Sequence, residues 1–373
     1  MERHLYRNTT SYRRVIAISD IHGNATVLAR LLTRLQLTDD DLLIFVGDYV
    51  NRGTESIETL AMVMDLAKRE NVVVLKGNMD RLLDWYFWRG DTKEVTDHFV
   101  FYRSMGWGVV FDDWAVRCGY PQPSAENFAE LRADFQERYA AEAKFIRELP
   151  FSLATEDHLF VHAGVAPVAD WRESTEQQNL KNDPFLMHGE NLTGKTIVVG
   201  HTPVWNSIES ANTNNPVFFR DRQVIGIDGG IGVKDFSQLN ALIITREGEN
   251  YRHDWMFEDP YPRVSASADY RPTETRAVFK DMWPDYFLEK LADGEDFSYC
   301  RLTASNREGW AKNEHIATDD QGRLRFVRSS TSVLLPVSAG ETLALLDEKC
   351  GNFSYVKNAA GQIGWVPNAV IGR

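Results

Sequence analysis

The sequence predicts a mixed α/β fold, and three features of the chain support this prediction. Short apolar runs rich in β-branched residues recur, and each ends in a polar cluster that contains glycine. Stretches with the 3.6-residue period of an amphipathic helix separate the first of these runs. Strand–loop–helix alternation of this kind is typical of a sheet with functional groups on loops at the carboxyl ends of its strands. A glycine-punctuated region of alternating apolar residues follows at 323–371 and predicts a small all-β module.

Predicted strands and helices alternate through the first part of the chain. Apolar runs predict strands at 15–19, 42–46 and 72–75, and helical period predicts helices at 25–35 and 56–68. The β-rich pattern resumes in four later runs, at 159–161, 196–199, 224–227 and 242–244. These runs supply enough strands for one sizeable sheet domain.

Residues 81–150 differ in character from the rest of this domain. They are rich in aromatic and charged side chains, and helical period is clearest around 126–148. We therefore expect a helical cap or insertion at 81–150. Aromatic side chains should form the core of this insertion rather than a cofactor site; they are Trp85, Phe87, Trp88, Phe99, Phe101, Trp107 and Trp114.

The length of 373 residues predicts two or three domains. Pro260, Pro262 and several small residues predict a linker at 259–268. One domain is therefore expected over residues 1–258, with smaller modules after the linker.

An internal repeat lies beyond this linker. Phe297-Ser-Tyr-Cys-Arg301 is echoed by Phe353-Ser-Tyr-Val-Lys357, at an offset of 56 residues. The Gly-Trp pairs at 309–310 and 364–365 repeat at an offset of 55. Repetition at this period predicts two β modules, at 269–318 and 322–373. Trp310 and Trp365 should be core residues of these modules, with a peptide- or glycan-binding groove as the alternative.

Composition and charge limit the classes of partner. The net charge of −13 excludes nonspecific nucleic-acid binding, because no basic field would displace counterions from a phosphate backbone. No apolar run approaches the length of a membrane span, and residues 1–14 lack the apolar core of a secretory signal. We expect a cytoplasmic chain that contacts neither nucleic acid nor membrane. Cys118, Cys300 and Cys350 lack CxxC spacing and are expected to be reduced, incidental thiols.

Five short loops carry the residues that suggest chemistry. Each places an Asp, His or Asn beside a glycine, just after an apolar run. Carboxylate, imidazole and amide ligands suit Mn²⁺, Fe or Zn²⁺, and the absence of thiolates disfavours a structural zinc site here. One such loop alone has little value, but five in order predict a metal site. The candidate ligands are Asp20, His22, Asp48, Asn78, His162 and His201.

With these motifs, residues 14–245 resemble the calcineurin-like metallophosphoesterases. Within that family they look most similar to the PPP-type serine/threonine phosphatases and their bacterial relatives, which include diadenosine tetraphosphate hydrolases. The resemblance implies a four-layer β-sandwich flanked by helices and a pair of divalent metal ions, with Mn²⁺ expected first and Fe or Zn²⁺ as alternatives. The C-terminal repeats are similar to bacterial SH3-like barrel modules, on the Gly-Trp-(Val/Ala) signature alone.

The resemblance also implies roles for individual residues. Asp20 and His22 would hold the first metal, Asp48 would bridge both metals, and Asn78, His162 and His201 would complete the second. Paired cations polarise a water that attacks phosphorus in line and offset the developing charge. Arg52 would bind phosphate oxygens as a catalytic and substrate-binding residue, and Asn78 would also contact substrate.

Two residues depart from the PPP pattern at the position of the general acid. The family's Asn-His-Glu loop reads Asn78-Met79-Asp80, and Asn51 replaces the Asp that would pair with the missing His. A thioether cannot donate a proton, and an amide is not a useful acid. Asp80 is the candidate substitute and is therefore included among the expected catalytic residues, with Asp48 and Arg52.

Two further positions have open assignments. Asp228 either orients a ligand's imidazole or stabilises its own turn. The second phosphate-binding Arg of the family is missing near Asn182, and Arg172 or Lys181 are the candidate replacements.

Three functions compete on this sequence. The first is a PPP-like protein phosphatase, and the second a phosphodiesterase or dinucleoside polyphosphate hydrolase, favoured by the loss of the general acid at Met79. General acid–base assistance contributes about 10²–10⁴-fold, so acidic leaving groups should be preferred. The third is a weakly catalytic phosphate-binding scaffold that works through its SH3-like repeats. The expected partners are a phosphorylated protein, nucleotide or small molecule, and a protein bound by the repeats.

Overall fold

The computed structural model describes residues 3–104 and 112–372 and divides the chain into two compact units. The first unit is formed by residues up to Pro203, with Pro216–Val233 and Gln238–Glu258. The second is formed by Val204–Asn215, Lys234–Ser237 and the chain from Asp259 onward. No helix in the described ranges is long and apolar enough to cross a bilayer.

Strands and helices alternate through the first unit. Its strands are β1 His4–Tyr6, β2 Arg14–Ile18, β3 Asp41–Phe45, β4 Val72–Val74, β5 Ser152–Ala154, β6 His158–Val161, β7 Thr196–Val199, β8 Val217–Phe219, β9 Val224–Gly226, β10 Leu239–Glu247 and β11 Asn250–Glu258. Its helices are α1 Ala25–Leu35, α2 Ser56–Leu66, α3 Asn78–Asp84, α4 Thr92–Ser104, α5 Asp112–Arg117, α6 Phe128–Arg138, α7 Ala140–Glu148, α8 Glu176–Leu180 and α9 Phe185–His188. The sequence prediction of a mixed α/β fold is confirmed.

Two sheets pack face to face in this unit. One has the order β1-β5-β6-β7-β9-β8, and the other has the order β11-β10-β2-β3-β4. Their facing apolar side chains form one buried cluster, which joins Ile44 and Val46 to Phe160, Val198 and Ile225. Strands β2, β3 and β4 are parallel to one another, as are β6, β7 and β9. Their carboxyl ends therefore bring several loops to the same edges of the sandwich.

Helices cover the outer face of the five-stranded sheet and fill most of the predicted insertion. Side chains of α1 and α2 join the larger apolar cluster, together with those of the insertion. Phe87 and Phe135 stack with ring centroids 3.7 Å apart, and Trp114 is fully buried. Phe87, Phe99 and Trp114 therefore form the expected core, whereas Trp85 and Trp88 are half-buried and Phe101 is exposed. Trp107 lies outside the described residues.

The second unit is built from short antiparallel strands. They are β12 Arg263–Ser265, β13 Leu288–Ala292, β14 Phe297–Leu302, β15 Glu308–Lys312, β16 Ile316–Thr318, β17 Leu324–Phe326, β18 Thr342–Cys350, β19 Phe353–Lys357 and β20 Ile363–Pro367. They form sheets in the orders β12-β18-β19-β20, β13-β14-β15 and β16-β17. Within the stretch expected as a linker, β12 pairs with Thr342–Ala344 of β18, so this part of 259–268 belongs to a sheet.

The internal repeat is visible as two equivalent hairpins. Tyr299 pairs with Trp310 across β14 and β15, and Tyr355 pairs with Trp365 across β19 and β20. Ser298 and Ser354 each donate to an asparagine at a distance of 2.7 Å. Trp365 is fully buried, whereas Trp310 is only half-buried. The two hairpins share a register and a polar contact but differ in burial.

Candidate metal centre

The loops that follow the parallel strands of the first unit have strained backbones. Nine non-glycine residues of the described chain have positive φ, and six of these belong to the predicted loops. They are Asp20, His22, Asp48, Asn51, Arg52 and His201, with φ between 47° and 74°. Non-glycine residues rarely adopt this region, and clusters of them are typical of functional sites.

Two glycines allow these loops to approach one another. A Cβ atom at Gly77 would lie 2.1 Å from Asp48 Oδ1, and a Cβ at Gly200 would lie 2.1 Å from Asp20 Oδ2. Neither position has room for a larger residue. The glycines therefore let the backbone of one loop pack directly against a carboxylate of another.

A first group of ligand atoms consists of two carboxylates and one imidazole. His22 Nε2 lies 3.8 Å from Asp20 Oδ1 and 3.8 Å from Asp48 Oδ2. Asp20 is held in place because its two oxygens accept from His201 N, at 3.1 and 3.0 Å. All three side chains are buried.

A second group shares the Asp48 carboxylate. His162 Nε2 lies 3.4 Å from Asp48 Oδ1. One terminal atom of the Asn78 side-chain amide lies 3.0 Å from His162 Nε2 and 2.8 Å from His201 Nδ1. The two oxygens of Asp48 therefore face different groups of candidate ligands.

The electrostatics of these groups suit a cation. Burial raises the pKa of Asp20 well above its usual value, and the nearby Asp228 and Asp48 raise it further. Burial, followed by Asp80, likewise raises the pKa of Asp48. Asp228 has its pKa raised to about 6, chiefly by burial. Buried carboxylates that repel one another are costly unless a positive charge joins them. Divalent cations fit this donor set.

The surroundings of His22 and His162 favour the neutral form of the imidazole. Burial lowers the pKa of His22 to about 3 and lowers that of His162 well below its usual value. Nδ1 of His162 faces Val46 O at 2.9 Å, and Nδ1 of His22 faces Val50 O at 3.4 Å. A backbone acceptor at Nδ1 places the proton there and leaves the Nε2 lone pair for a metal.

Asp80, the candidate substitute for the general acid, is bound by backbone N–H groups of two loops. Its carboxylate accepts from three backbone N–H groups, those of Gly77 at 2.8 Å, Asp48 at 2.9 Å and Tyr49 at 3.0 Å. The side chain is fully buried. Both oxygens of Asp80 therefore serve backbone donors, two of which belong to the loop that carries Asp48.

The residues that replace the family's general acid lie together. Asn51 Nδ2 faces Met79 O at 3.4 Å, and both side chains are buried. Asn51 Oδ1 has no hydrogen-bond partner within the described part of the chain. Neither side chain can protonate a leaving oxygen. Arg52, next in the loop, is exposed, and its positive charge lowers the pKa of the nearby Asp48 and His22.

One polar residue of the site was missed by sequence reasoning. Asp183 Oδ1 lies 2.8 Å from His201 Nε2 and orients that ring, so that Nδ1 points at Asn78. The only signal was the Asn182-Asp183-Pro184 turn, which carries no metal motif. The adjacent Asp228 stabilises its own turn through Gly230 N at 2.7 Å and also lies close enough to Asp20 to raise its pKa.

The two candidates for a second phosphate-binding cation differ in position. Arg172 pairs with Asp170 at 2.9 Å and lies over the Trp171 ring. Lys181 is exposed and follows Leu180, whose carbonyl lies 3.2 Å from the Asn78 amide. Of the two, Lys181 has the closer link to the ligand loops.

Known proteins resemble this chain over the same region. A symmetrical bis(5'-nucleosyl)-tetraphosphatase of Janthinobacterium sp. is 31% identical over 154 residues, 40% of this chain and 43% of that protein. Serine/threonine-protein phosphatase 1 of Salmonella typhimurium is 27% identical over 218 residues, 55% of this chain and 85% of that protein. The chain thus spans less than half of the tetraphosphatase.

A solved protein serine/threonine phosphatase from Saccharomyces cerevisiae is 13% identical. The similarity covers 70% of this chain and 85% of the yeast chain, with a TM-score of 0.42. The profile of the calcineurin-like phosphoesterases matches residues 13–227, more than half of the chain. The chain therefore belongs to the calcineurin-like phosphoesterase family.

Proposed function

We propose that this chain is a metal-dependent phosphohydrolase that prefers acidic leaving groups, with dinucleoside polyphosphates as its substrate class. The observation that carries the reaction type is the position of Asp48, whose two oxygens face separate ligand groups. Membership of the calcineurin-like phosphoesterases supports the same reaction.

Six residues would hold the metal pair. Asp20 and His22 would bind the first ion, Asn78, His162 and His201 the second, and Asp48 both. Mn²⁺ suits the mixed oxygen and nitrogen ligands, with Fe and Zn²⁺ as alternatives. Bound divalent ions of this kind lower the pKa of water and offset charge on phosphoryl oxygens.

Arg52 and Asn78 would bind the substrate's phosphate. Arg52 is exposed at the site and carries a positive charge into the loop that follows Asp48. A guanidinium matches two phosphate oxygens at once. Lys181 would supply a second cation, since its neighbour Leu180 adjoins the Asn78 amide.

The leaving group sets the substrate preference. By the family motif, Met79 and Asn51 stand in place of the residues that would supply a proton, and the Asp80 carboxylate accepts from three backbone N–H groups. Without a general acid, an alkoxide leaves poorly, whereas a phosphate or aryl oxide leaves as an anion. Phosphoanhydrides and aryl esters are therefore favoured over phosphoserine.

A cleft lined by residues of α3 and of the helical insertion favours a nucleotide among such substrates. It has a volume of about 470 Å³ and follows α3, the helix that begins at Asn78. Its walls include the rings of Trp85 and His98, which meet edge to face at 5.2 Å. They also include Arg81 and Arg89, whose partly exposed guanidinium groups lie 3.6 and 3.7 Å from the carboxylates of Glu176 and Asp84. Aromatic faces stack on bases, and guanidinium groups bind phosphates.

Initial rates with Mn²⁺ test this proposal on four substrates: diadenosine tetraphosphate, p-nitrophenyl phosphate, its bis ester and a phosphoserine peptide. We expect turnover of the dinucleotide and the aryl monoester, and a rate on the peptide lower by about 10²-fold or more. If Mn²⁺, Fe²⁺ and Zn²⁺ all fail to support turnover of any substrate, the reaction type is wrong. If the peptide is the best substrate, the leaving-group argument is wrong.

The cleft has its own test. Trp85→Ala should raise KM for diadenosine tetraphosphate and leave KM for p-nitrophenyl phosphate unchanged. Trp88→Ala is the matched control, because Trp88 is equally half-buried and packs against Phe135 instead. An equal effect of both substitutions on the dinucleotide would place its base elsewhere.

A PPP-like protein phosphatase is the second candidate, favoured by the match over 85% of the Salmonella phosphatase. In that case residues 269–318 and 322–373 would be SH3-like modules that dock the substrate protein. Their equivalent hairpins support a duplication, and the half-buried Tyr299–Trp310 pair offers a surface. Trp310→Ala should then slow turnover of a phosphoprotein but not of p-nitrophenyl phosphate. Equal rates on the phosphoprotein would remove this docking role.

A further inference from the structure

A second cluster of possible metal ligands lies in the all-β unit. His315 Nε2 lies 3.3 Å from Asp347 Oδ2 and 3.6 Å from Cys350 Sγ. One ligand atom from each residue lies within 4.8 Å of the other two. The imidazole and the thiol are buried, while the carboxylate is partly accessible. Both the carboxylate and the thiol face the same imidazole nitrogen, so the three do not form a relay of the nucleophile–base–acid kind.

We propose that His315, Asp347 and Cys350 form a separate divalent-metal site with a preference for zinc. Nitrogen, carboxylate oxygen and thiolate sulfur are the three ligand types that zinc uses in proteins. A solvent molecule would complete four-coordination on the side of Asp347.

The distances fit a tetrahedral ion. With zinc–nitrogen and zinc–oxygen bonds of about 2.0 Å and a zinc–sulfur bond of about 2.3 Å, tetrahedral angles separate N from O by about 3.3 Å and N from S by about 3.5 Å. The observed separations are 3.3 Å and 3.6 Å. Two of the three separations therefore match a tetrahedral zinc ion, and the third, between the Asp347 carboxylate and Cys350 Sγ, is within 4.8 Å.

Irregularities in β18 bring two of these ligands together. Residues three apart on a regular strand point to opposite faces. The register of β18 against β19 shifts between Leu345 and Asp347 and again between Asp347 and Cys350. Such bulges redirect side chains and are common at functional positions. His315 comes from the turn Asn313–His315 that follows β15.

Aromatic rings hold the imidazole in place. Phe236 stacks on His315 at 5.7 Å, and Tyr355 and Trp365 meet it edge to face at 5.5 and 5.0 Å. His315 Nδ1 has no hydrogen-bond partner in the described ranges. Packing, rather than a second hydrogen bond, orients this ligand.

The charges around the thiol show what a cation would change. Burial raises the pKa of Cys350 to about 12, and Asp347 and Glu314 raise it further. A bound divalent ion would favour the thiolate: the S–H bond breaks, a sulfur–metal bond forms, and the proton passes to solvent.

Arg328 would compete with a metal ion for the carboxylate of Asp347. Its Nη1 lies 2.8 Å from Asp347 Oδ2, but half of its side chain is exposed. Because the Arg328 side chain is half exposed, its guanidinium can be solvated when a divalent ion takes its place at the carboxylate. The metal would then link the end of the first repeat, at His315, to β18 of the second.

Cobalt provides the sharpest test, because a thiolate bound to Co²⁺ gives a near-ultraviolet charge-transfer band. The candidate ligands of the first unit include no thiolate, so this band reports the second site even when both sites are loaded. We expect the full chain titrated with Co²⁺ to show the band, Zn²⁺ to abolish it, and Cys350→Ser to lack it. Cys300→Ser is the matched control, since Cys300 is an equally buried thiol of the same unit.

Thermal unfolding gives an independent reading. Zn²⁺ should raise the Tm of the wild-type chain more than that of Cys350→Ser, because an ion that binds only the folded state stabilises it. His315→Gln should reproduce the loss of the cobalt band if Cys350→Ser proves unstable. Absence of the band in the folded wild-type chain, or its persistence in Cys350→Ser, would overturn the proposal.

Discussion

Asp48 Oδ1 lies 3.4 Å from His162 Nε2, and the other oxygen of this carboxylate faces a different histidine. The two histidines come from loops after β2 and β6, which belong to different sheets. Asp48 is therefore the one candidate ligand common to both groups.

Asp48→Asn should abolish most of the Mn²⁺-dependent turnover of p-nitrophenyl phosphate. Loss of a residue that merely supports a metal ligand costs about 10–100-fold, and loss of a shared ligand should exceed the upper end of that range. Initial rates at saturating Mn²⁺ measure the effect. Asp65→Asn, on the exposed face of α2, is the control and should retain wild-type rates. Equal activity of the two variants would remove Asp48 from the site.

Asp80→Asn separates a positioning role from an acid role. An amide cannot accept the three N–H bonds that the carboxylate accepts, so the Asp48 loop should loosen. We expect the Mn²⁺ concentration for half-maximal activity to rise by about 10–100-fold. The ratio of rates on p-nitrophenyl phosphate and on phenyl phosphate should not change. A selective loss on phenyl phosphate, whose leaving group is less acidic, would restore Asp80 as the acid.

Asp183→Asn should weaken the second metal more than the first. The carboxylate orients His201 at 2.8 Å, and removing its charge lowers the basicity of that ring. We expect about tenfold weaker Mn²⁺ activation, read from a metal titration of activity. Asp170→Asn is a matched control, because Asp170 is an exposed aspartate that pairs with Arg172. If the two variants titrate alike, His201 does not depend on Asp183.

Restoring the missing acid should change the leaving-group preference. Asn51 Nδ2 lies 3.4 Å from the backbone carbonyl of Met79, so the double variant Asn51→Asp/Met79→His restores the two missing residue types in neighbouring loops. We expect its rate on a phosphoserine peptide, relative to p-nitrophenyl phosphate, to rise toward the roughly 10²–10⁴-fold available to general acids. The single variants should gain much less. An unchanged ratio in a folded, metal-loaded double variant would show that leaving-group protonation does not limit this site.

His158 makes the folded state sensitive to acid. Burial lowers its pKa to about 4, and its Nε2 lies 3.0 Å from Nε2 of His253. The unfolded chain binds a proton near pH 6.5 that the folded chain refuses, so stability falls as pH drops from 6.5 toward 4. This group alone contributes about 2 kcal/mol of lost stability between pH 7 and pH 5.

Urea unfolding in the presence of EDTA measures this effect. His158→Gln should reduce the loss of stability between pH 7 and pH 5 relative to the wild-type chain. His188→Gln, at an exposed position in α9, should leave the loss as large as before. A pH dependence that His158→Gln does not alter would assign the acid sensitivity to other groups.

The sequence predicted the position of those candidate ligands that directly follow an apolar strand. Asp20 and Asp48 follow apolar runs that became β2 and β3, and the parallel register of these strands brings their ends together. Local pattern alone was sufficient to predict this placement, because side chains after neighbouring parallel strands must meet.

Other residues have positions that depend on tertiary contacts and could not be predicted from local pattern. Asp80 lies in the same motif as Asn78, yet its direction depends on N–H groups from the Asp48 loop. Asp183 contacts a histidine that follows β7, through an irregular connection that no periodicity describes. Arg263–Ser265 has no apolar run and becomes a strand only because it pairs with Thr342–Ala344. Contacts between distant segments leave no local signal.

Crystals grown with Mn²⁺ and measured at the manganese absorption edge test the central assignment most directly. The account predicts two anomalous peaks that share the carboxylate of Asp48, one beside His22 and Asp20 and one beside Asn78, His162 and His201. A pocket without manganese, or a single ion that Asp48 does not touch, would contradict it.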